Sequence, residues 1–428
     1  LNSIMIYRLA IISAWMSVVL AQANDGILPQ SSPAYLSDVP MPTGVVNAVP
    51  SQPYPTGSLD MHWKLDLSKY PAVKQVPPTD STEVKNAIAA IDWSKVPNAP
   101  IRKKLPSGDL DVSSYNVEQD PDCWWSASIC KDPKAKYLPS DHYMCPTVGD
   151  WGLNYDDGPL NPVNFDHPDS WAEPALYDFL TDQNKTATLF YIGSYVVSFP
   201  SAAQRALNSG NVLCSHTWSH KQMTSLTNEQ LVAEFYWSLR AIKEATGVTT
   251  KCWRPPFGDV DDRVRAIAHQ MGMRTFLWEQ DSFDWQIGGG HPSSVVDGYF
   301  EKWLADRNTS ADSTNGHVTL QHELNADTIK IAMKWLPEVS KKFNVMPIHQ
   351  CLDDTSPYWE TNFVYPKRDG SVPDTKQQQV DSSKPSAASR ETGMSSSPTQ
   401  QASSSSSVHA TLLPFVAASA MFIYGAYF

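Results

Sequence analysis

From residue 145 to residue 353, short apolar runs of strand length alternate with stretches of helical periodicity, and this alternation leaves few folds open. Runs that are apolar at every position do not suit a sheet with one wet face. They suit buried parallel strands joined by crossover helices. The strands expected on this basis are 151–155, 187–192, 211–214, 273–278, 318–321 and 345–349. The clearest helix is Asn228–Thr246. Thr227 and Gln230 have the spacing of a capping box, Leu231, Phe235, Leu239 and Ile242 share one face, and Gly247 stands where a C-terminal cap is needed. The expected fold class is α/β, a β/α barrel in which functional groups collect where strands end and loops begin.

The flanks have a different texture. Residues 1–23 have the pattern of a secretory signal, with Arg8 ahead of an apolar run and Ala21-Gln22-Ala23 as the small-x-small cleavage site. In residues 24–144 proline recurs every few positions and removes backbone donors, so this part is expected to be an extended arm with one short helix near 82–91. Residues 354–407, rich in Ser, Pro and Gln, are expected to be a disordered stalk. The hydrophobic tail 408–428 after that spacer fits a glycosylphosphatidylinositol signal, which implies a membrane partner through a lipid anchor and a place at the cell surface.

The 6 cysteines of such an exported chain imply disulfides, with fifteen connectivities formally open. The pairs expected are Cys123 with Cys130, Cys145 with Cys351, and Cys214 with Cys252. Asn184-Lys185-Thr186 and Asn308-Thr309-Ser310 are glycosylation sequons suited to surface turns. With 33 Lys+Arg against 45 Asp+Glu and a net charge of −12, the chain offers no electrostatic footprint for nucleic acid, and no protein partner is inferred.

Five constellations sit at or near the expected strand ends. Strand 151–155 runs into Asp156-Asp157-Gly158-Pro159. Strand 211–214 leads to His216 and His220, four residues apart, so that one tight turn can aim both imidazoles at a point. A carboxylate with two imidazoles is a ligand set for a divalent metal with open positions. Further on, Arg254 to Asp259 offers a guanidinium fork, an aromatic ring and a Gly-flanked amide. Asp281 to Trp285 sets acids beside an indole, and Leu320 to His322 adds a third imidazole. Each alone has a plain structural explanation: an Asx turn, a surface ion pair, a core ring.

Taken in order, the five resemble the motifs of the NodB-homology polysaccharide deacetylases, and within them the fungal chitin deacetylases. The family's Thr-Phe-Asp-Asp is similar to Asn154 to Asp157, its His-(Ser/Thr)-x-x-His to His216 to His220, and its Arg-x-x-(Tyr/Phe) to Arg254 to Phe257. Its Asp-x-x-Asp-Trp is similar to Asp281 to Trp285, and its Leu-x-His to Leu320 to His322. The resemblance implies a distorted (β/α)7-type barrel and metal-dependent removal of acetyl groups from the N-acetylglucosamine units of chitin. The cofactor implied is a divalent metal, Zn2+ by default with Co2+ able to substitute.

It implies Asp156 as general base, Asp157, His216 and His220 as metal ligands, and His322 as general acid. Arg254 would orient Asp156, and Asp284 would keep His322 protonated. The Phe257 amide would face the oxyanion, with Trp285 and Leu320 lining the acetyl pocket. The departure Asn154-Tyr155 from Thr-Phe is expected to touch no ligand or proton-transfer group. Trp124, Trp125, Trp218 and Trp253 remain as rings able to stack on a pyranose or to fill the core.

Overall fold

The computed structural model describes residues 33–46, 48–49, 63–159, 173–287 and 289–373. The signal at 1–23, the tail 408–428 and the stalk beyond residue 373 lie outside the described residues. Eight strands form one sheet: β1 Asp150–Gly158, β2 Thr188–Tyr191, β3 Val212–Ser215, β4 Cys252–Trp253, β5 Arg274–Thr275, β6 Gln280–Asp281, β7 His317–Leu320 and β8 Asn344–Pro347. Their order is β5-β4-β3-β2-β1-β7-β6, with β8 also paired to β1, and every pairing is parallel. β1 is buried along its whole length, as a central strand covered on both faces must be. The result is the curled, distorted β/α barrel expected of the chain.

The differences from the sequence reading have local causes. β1 runs through Gly158 instead of stopping at Tyr155, so both aspartates belong to the strand end itself. β4 and β6, two residues each, are too short to leave a periodic signal, and in 273–278 only Arg274–Thr275 pairs as a strand. The last strand stops at Pro347, which has no N–H to donate, and Ile348–Cys351 turns helical. The free flank of β5 is met by the N-terminal region: His142 N–H donates to Thr275 O at 3.0 Å, and Leu277 N–H donates to His142 O at 2.7 Å. Helix Asn228–Thr246 has the expected bounds, with the Thr227/Gln230 capping box formed and Gly247 left-handed at its end.

The flanks need correction. The arm is not simply extended: Leu36, Val84 and Ala87 are buried in the same core as the sheet, Trp124 is buried too, and Tyr70 stacks on Trp218 with ring centroids 5.8 Å apart. Nor does the stalk begin at residue 354. Tyr358, Phe363 and Tyr365 are buried, Tyr358 Oη accepts from Leu213 N–H at 2.8 Å, and Arg368 pairs with Asp150. Prolines interrupt regular elements, but the apolar residues between them still bury surface, and burial decides packing. Asn184 and Asn308 of the two sequons are exposed in left-handed turns (φ 50° and 71°).

The three disulfides are Cys123–Cys130, Cys145–Cys351 and Cys214–Cys252, the pairs named from the sequence. Cys145–Cys351 joins the two ends of the barrel across 206 residues. Closing so long a loop removes much entropy from the unfolded chain, so a Cys145→Ala, Cys351→Ala variant is expected to lose about 2–5 kcal/mol of stability in denaturant titration. A change below about 1 kcal/mol would show that the strand ladder alone holds the barrel ends.

Candidate active site

The ladder itself brings the chemistry to one place. Beyond β7, Asp156 N–H donates to Gln321 O at 2.9 Å and Glu323 N–H donates to Asp156 O at 3.0 Å, so residues 156 and 322 form a backbone bridge. On the other side Arg254 N–H donates to Ser215 O at 2.9 Å, which sets the residue after β4 beside the end of β3. Motifs scattered over more than 160 residues of sequence therefore share one rim of the sheet, the carboxyl end.

Asp156 is buried, and its Oδ1 accepts from Arg254 Nη1 at 2.7 Å. Arg254 is fully buried, which works against its charge, and the Asp156 carboxylate offsets that cost. Nη1 also donates to Asn154 Oδ1 at 2.6 Å, Nη2 donates to Leu277 O at 2.9 Å and Nε to Phe276 O at 3.4 Å, and the guanidinium lies over the Phe190 ring at 4.0 Å. Asn154, expected to stand apart from the chemistry, thus holds the same guanidinium nitrogen as Asp156. The strand period places residues 154 and 156 on one face, and that spacing was the signal available for finding it.

Asp157, His216 and His220 offer ligand atoms that all lie within 4.8 Å of one another. Among the described residues, Asp157 Oδ1 is buried without a hydrogen-bond partner, 3.4 Å from His216 Nε2 and 3.2 Å from His220 Nε2. Burial opposes its charge, but the imidazoles of His220, His216 and His322 hold the carboxyl well below the usual range. Burial pushes His220 down to about 4, leaving a neutral ring with a lone pair. His216 Nδ1 lies 2.8 Å from Arg254 O, and a carbonyl can only accept, so the proton sits on Nδ1 and Nε2 is free to ligate. An orphaned carboxylate oxygen and two imidazole lone pairs aimed at one space fit a divalent cation.

The turn carrying the two histidines is held from below by Glu234, a fully buried carboxylate on helix Asn228–Thr246 that the sequence reading counted only as helix. Its Oε2 accepts from Trp218 N–H and Ser219 N–H, both at 2.9 Å. Asp157, Thr217, His220, Phe257 and Phe283 all have left-handed φ (73°, 66°, 56°, 60° and 56°), unusual for residues with side chains. Such strain gathers where surrounding structure fixes a site.

His322 is the third imidazole. Its Nδ1 lies 2.6 Å from Asp284 Oδ1, and its backbone N–H donates to Asp284 Oδ2 at 2.9 Å. Burial alone would discharge the ring, but Asp284, with Asp157 and Asp156, pushes its pKa up to about 10. Asp281 was not assigned a role from sequence, although it opens the Asp-x-x-Asp-Trp motif. Burial raises its carboxyl to about 7, against the Phe283 N–H that donates to it at 2.7 Å and the nearby His322. Leu320 is buried and Trp285 half-buried on these same strand ends, and Phe257, 44% exposed, lays its ring 4.7 Å from that of His220. Of the four tryptophans considered for stacking, Trp124, Trp218 and Trp253 are buried in the core, and only Trp125 is partly exposed.

Comparison with known proteins bears on the family. Residues 144–276 match the polysaccharide deacetylase family model, which takes in the first three motifs. A chitin deacetylase of Amylomyces rouxii is 38% identical over 300 residues, 69% of this chain and 69% of that protein. Chitin deacetylase 2 of Cryptococcus neoformans var. grubii is 36% identical over 308 residues, 70% of this chain and 65% of its own length. The structure of the chitin deacetylase from Colletotrichum lindemuthianum overlaps 52% of this chain and 96% of its own, at 21% identity and a TM-score of 0.45. Identity of this extent with the Amylomyces rouxii enzyme places the chain in a known family: it belongs to the polysaccharide deacetylases.

Proposed function

We propose that this deacetylase removes the N-acetyl group from N-acetylglucosamine units of chitin, yielding chitosan and acetate, with zinc as its metal and cobalt as a substitute. The observation that carries the reading is that two supported proton-transfer groups stand beside one ligand set. Asp156, held by Arg254, and His322, held by Asp284, are bridged through their backbones, and Asp156 Oδ2 lies 3.9 Å from His216 Nε2 of the Asp157, His216 and His220 group. The curated relatives are named chitin deacetylases, which supports chitin as the substrate.

A divalent ion held by Asp157, His216 and His220 supplies Lewis-acid polarisation of the amide carbonyl and a water of lowered pKa. Asp156, aimed by Arg254, takes the proton from the attacking water. The tetrahedral carbon's oxyanion is stabilised by the Phe257 N–H. His322 gives its Nε2 proton to the sugar nitrogen as the C–N bond breaks, and Asp284 on Nδ1 keeps that ring charged until then. Leu320 and Trp285 exclude water around the acetyl methyl.

Disulfides, the two exposed sequons and the signal pattern at residues 1–23 support secretion, and the tail at 408–428 supports a lipid anchor at the cell surface. The deciding experiment is acetate release from chitin oligomers by metal-stripped protein with and without added zinc or cobalt. Release is expected to fall to background on stripping and to return with either ion. A folded, zinc-loaded protein inactive on every chitin oligomer would overturn the substrate assignment, and acetylated xylan becomes the next substrate to test.

A further inference from the structure

We propose that Trp125, from the N-terminal region outside the matched deacetylase segment, is a platform for a second pyranose unit beside the one that is deacetylated. This rests on the functional reading above and adds a binding subsite to it.

Trp125 lies between two chains of contact that lead back to the reacting groups. On one, its indole packs against Gly258, next to Phe257, whose ring lies 4.7 Å from His220. A Cβ at Gly258 would collide with the six-membered ring of Trp125, and the φ of +70° there also favours glycine, so the loop and the indole fit closely only as they are. On the other, Trp125 meets Trp278 edge to face with centroids 4.9 Å apart, and Trp278 lies 5.6 Å from the Arg254 guanidinium that holds Asp156. The ring is therefore beside the site, at the Phe257 side of its rim.

The segment that carries it is clamped on all sides. Trp124 turns inward, and its Nε1 donates to Asp259 at 2.9 Å. Ser126 Oγ donates to the same Asp259 oxygen at 2.8 Å, and Trp125 N–H donates to Val260 O at 2.9 Å. The Cys123–Cys130 disulfide closes the turn, and Arg265 donates to the carbonyls of both cysteines at 2.6 and 2.9 Å. With Trp124 buried as the anchor, Trp125 is left partly exposed, and its indole N–H has no partner among the described residues. A flat apolar ring braced by these contacts and only partly covered suits the C–H face of a β-linked sugar, at little conformational cost on binding.

The test compares wild type with Trp125→Phe, which keeps a flat face, and Trp125→Leu, which keeps apolar bulk without one. Zinc-loaded protein is assayed for acetate release from the N-acetylglucosamine monosaccharide and the chitin hexamer, and metal-stripped protein for hexamer binding by calorimetry. Trp125→Leu is expected to raise KM for the hexamer and weaken its binding about 3–10-fold, with kcat and turnover of the monosaccharide unchanged, and Trp125→Phe to recover most of the loss. If Leu serves as well as Trp, or if both substrates lose equally, the ring only packs and the proposal falls. Hexamer binding that depends on Trp125 without acetate release would retire the catalytic reading and leave the platform standing. Melting temperatures of both variants report any loss of folding.

Discussion

Asp156→Asn is expected to lower kcat for acetate release about 10²–10⁴-fold while leaving zinc bound, because the asparagine cannot take a proton from water. The side chains are nearly the same shape, and the amide oxygen can still accept from Arg254 Nη1, now 2.7 Å from Asp156 Oδ1. What is lost is the negative charge. Arg254 is fully buried and its other partners, Asn154, Leu277 and Phe276, are neutral. The substitution therefore also leaves a buried cation without its counter-charge, and a drop of up to about 3–5 kcal/mol in unfolding free energy should accompany the lost rate. Zinc titration, a melt and kcat on one preparation separate the two effects, since Asp156 is outside the Asp157, His216 and His220 group. A variant that keeps wild-type kcat would remove Asp156 as the base.

That double duty of Asp156 shows what a linear reading can and cannot supply. The helix Asn228–Thr246 was legible because its cap, stripe and terminal glycine are local signals. The five motifs were legible because ligands and proton-transfer groups are chemically distinctive and recur in a fixed order. Asn154 was not, since its role as second acceptor for Arg254 exists only when β1 and the loop after β4 meet. Glu234 was hidden similarly: it is one acid among the polar residues of a helix until the fold sets it beneath the Trp218 and Ser219 amides. The N-terminal region misled for a related reason. Proline density reports the loss of regular hydrogen bonding, whereas Leu36, Val84 and Trp124 pack through side chains, which that density does not measure.

Asp284→Asn is expected to shift the alkaline limb of kcat/KM downward by about 1–3 pH units, besides lowering kcat. A general acid works in its protonated form, so activity is present below the pKa of His322 and is lost as pH rises through it. In the native site burial pulls that pKa down, while Asp284 leads the carboxylates that push it up to about 10. Zinc on Asp157 would cancel that carboxylate's share, so the limb of the loaded enzyme begins below 10, but the share of Asp284 remains. Neutralising residue 284 removes it and leaves the burial. Asparagine also cannot accept with both of its heavy atoms, whereas Asp284 accepts from the His322 N–H at 2.9 Å and meets Nδ1 at 2.6 Å, so ring orientation suffers too. Lost orientation alone would scale the whole pH profile without moving it. The position of the limb, measured with zinc saturating, is therefore the readout that separates electrostatic support from scaffolding, and an unmoved limb would leave Asp284 as scaffold.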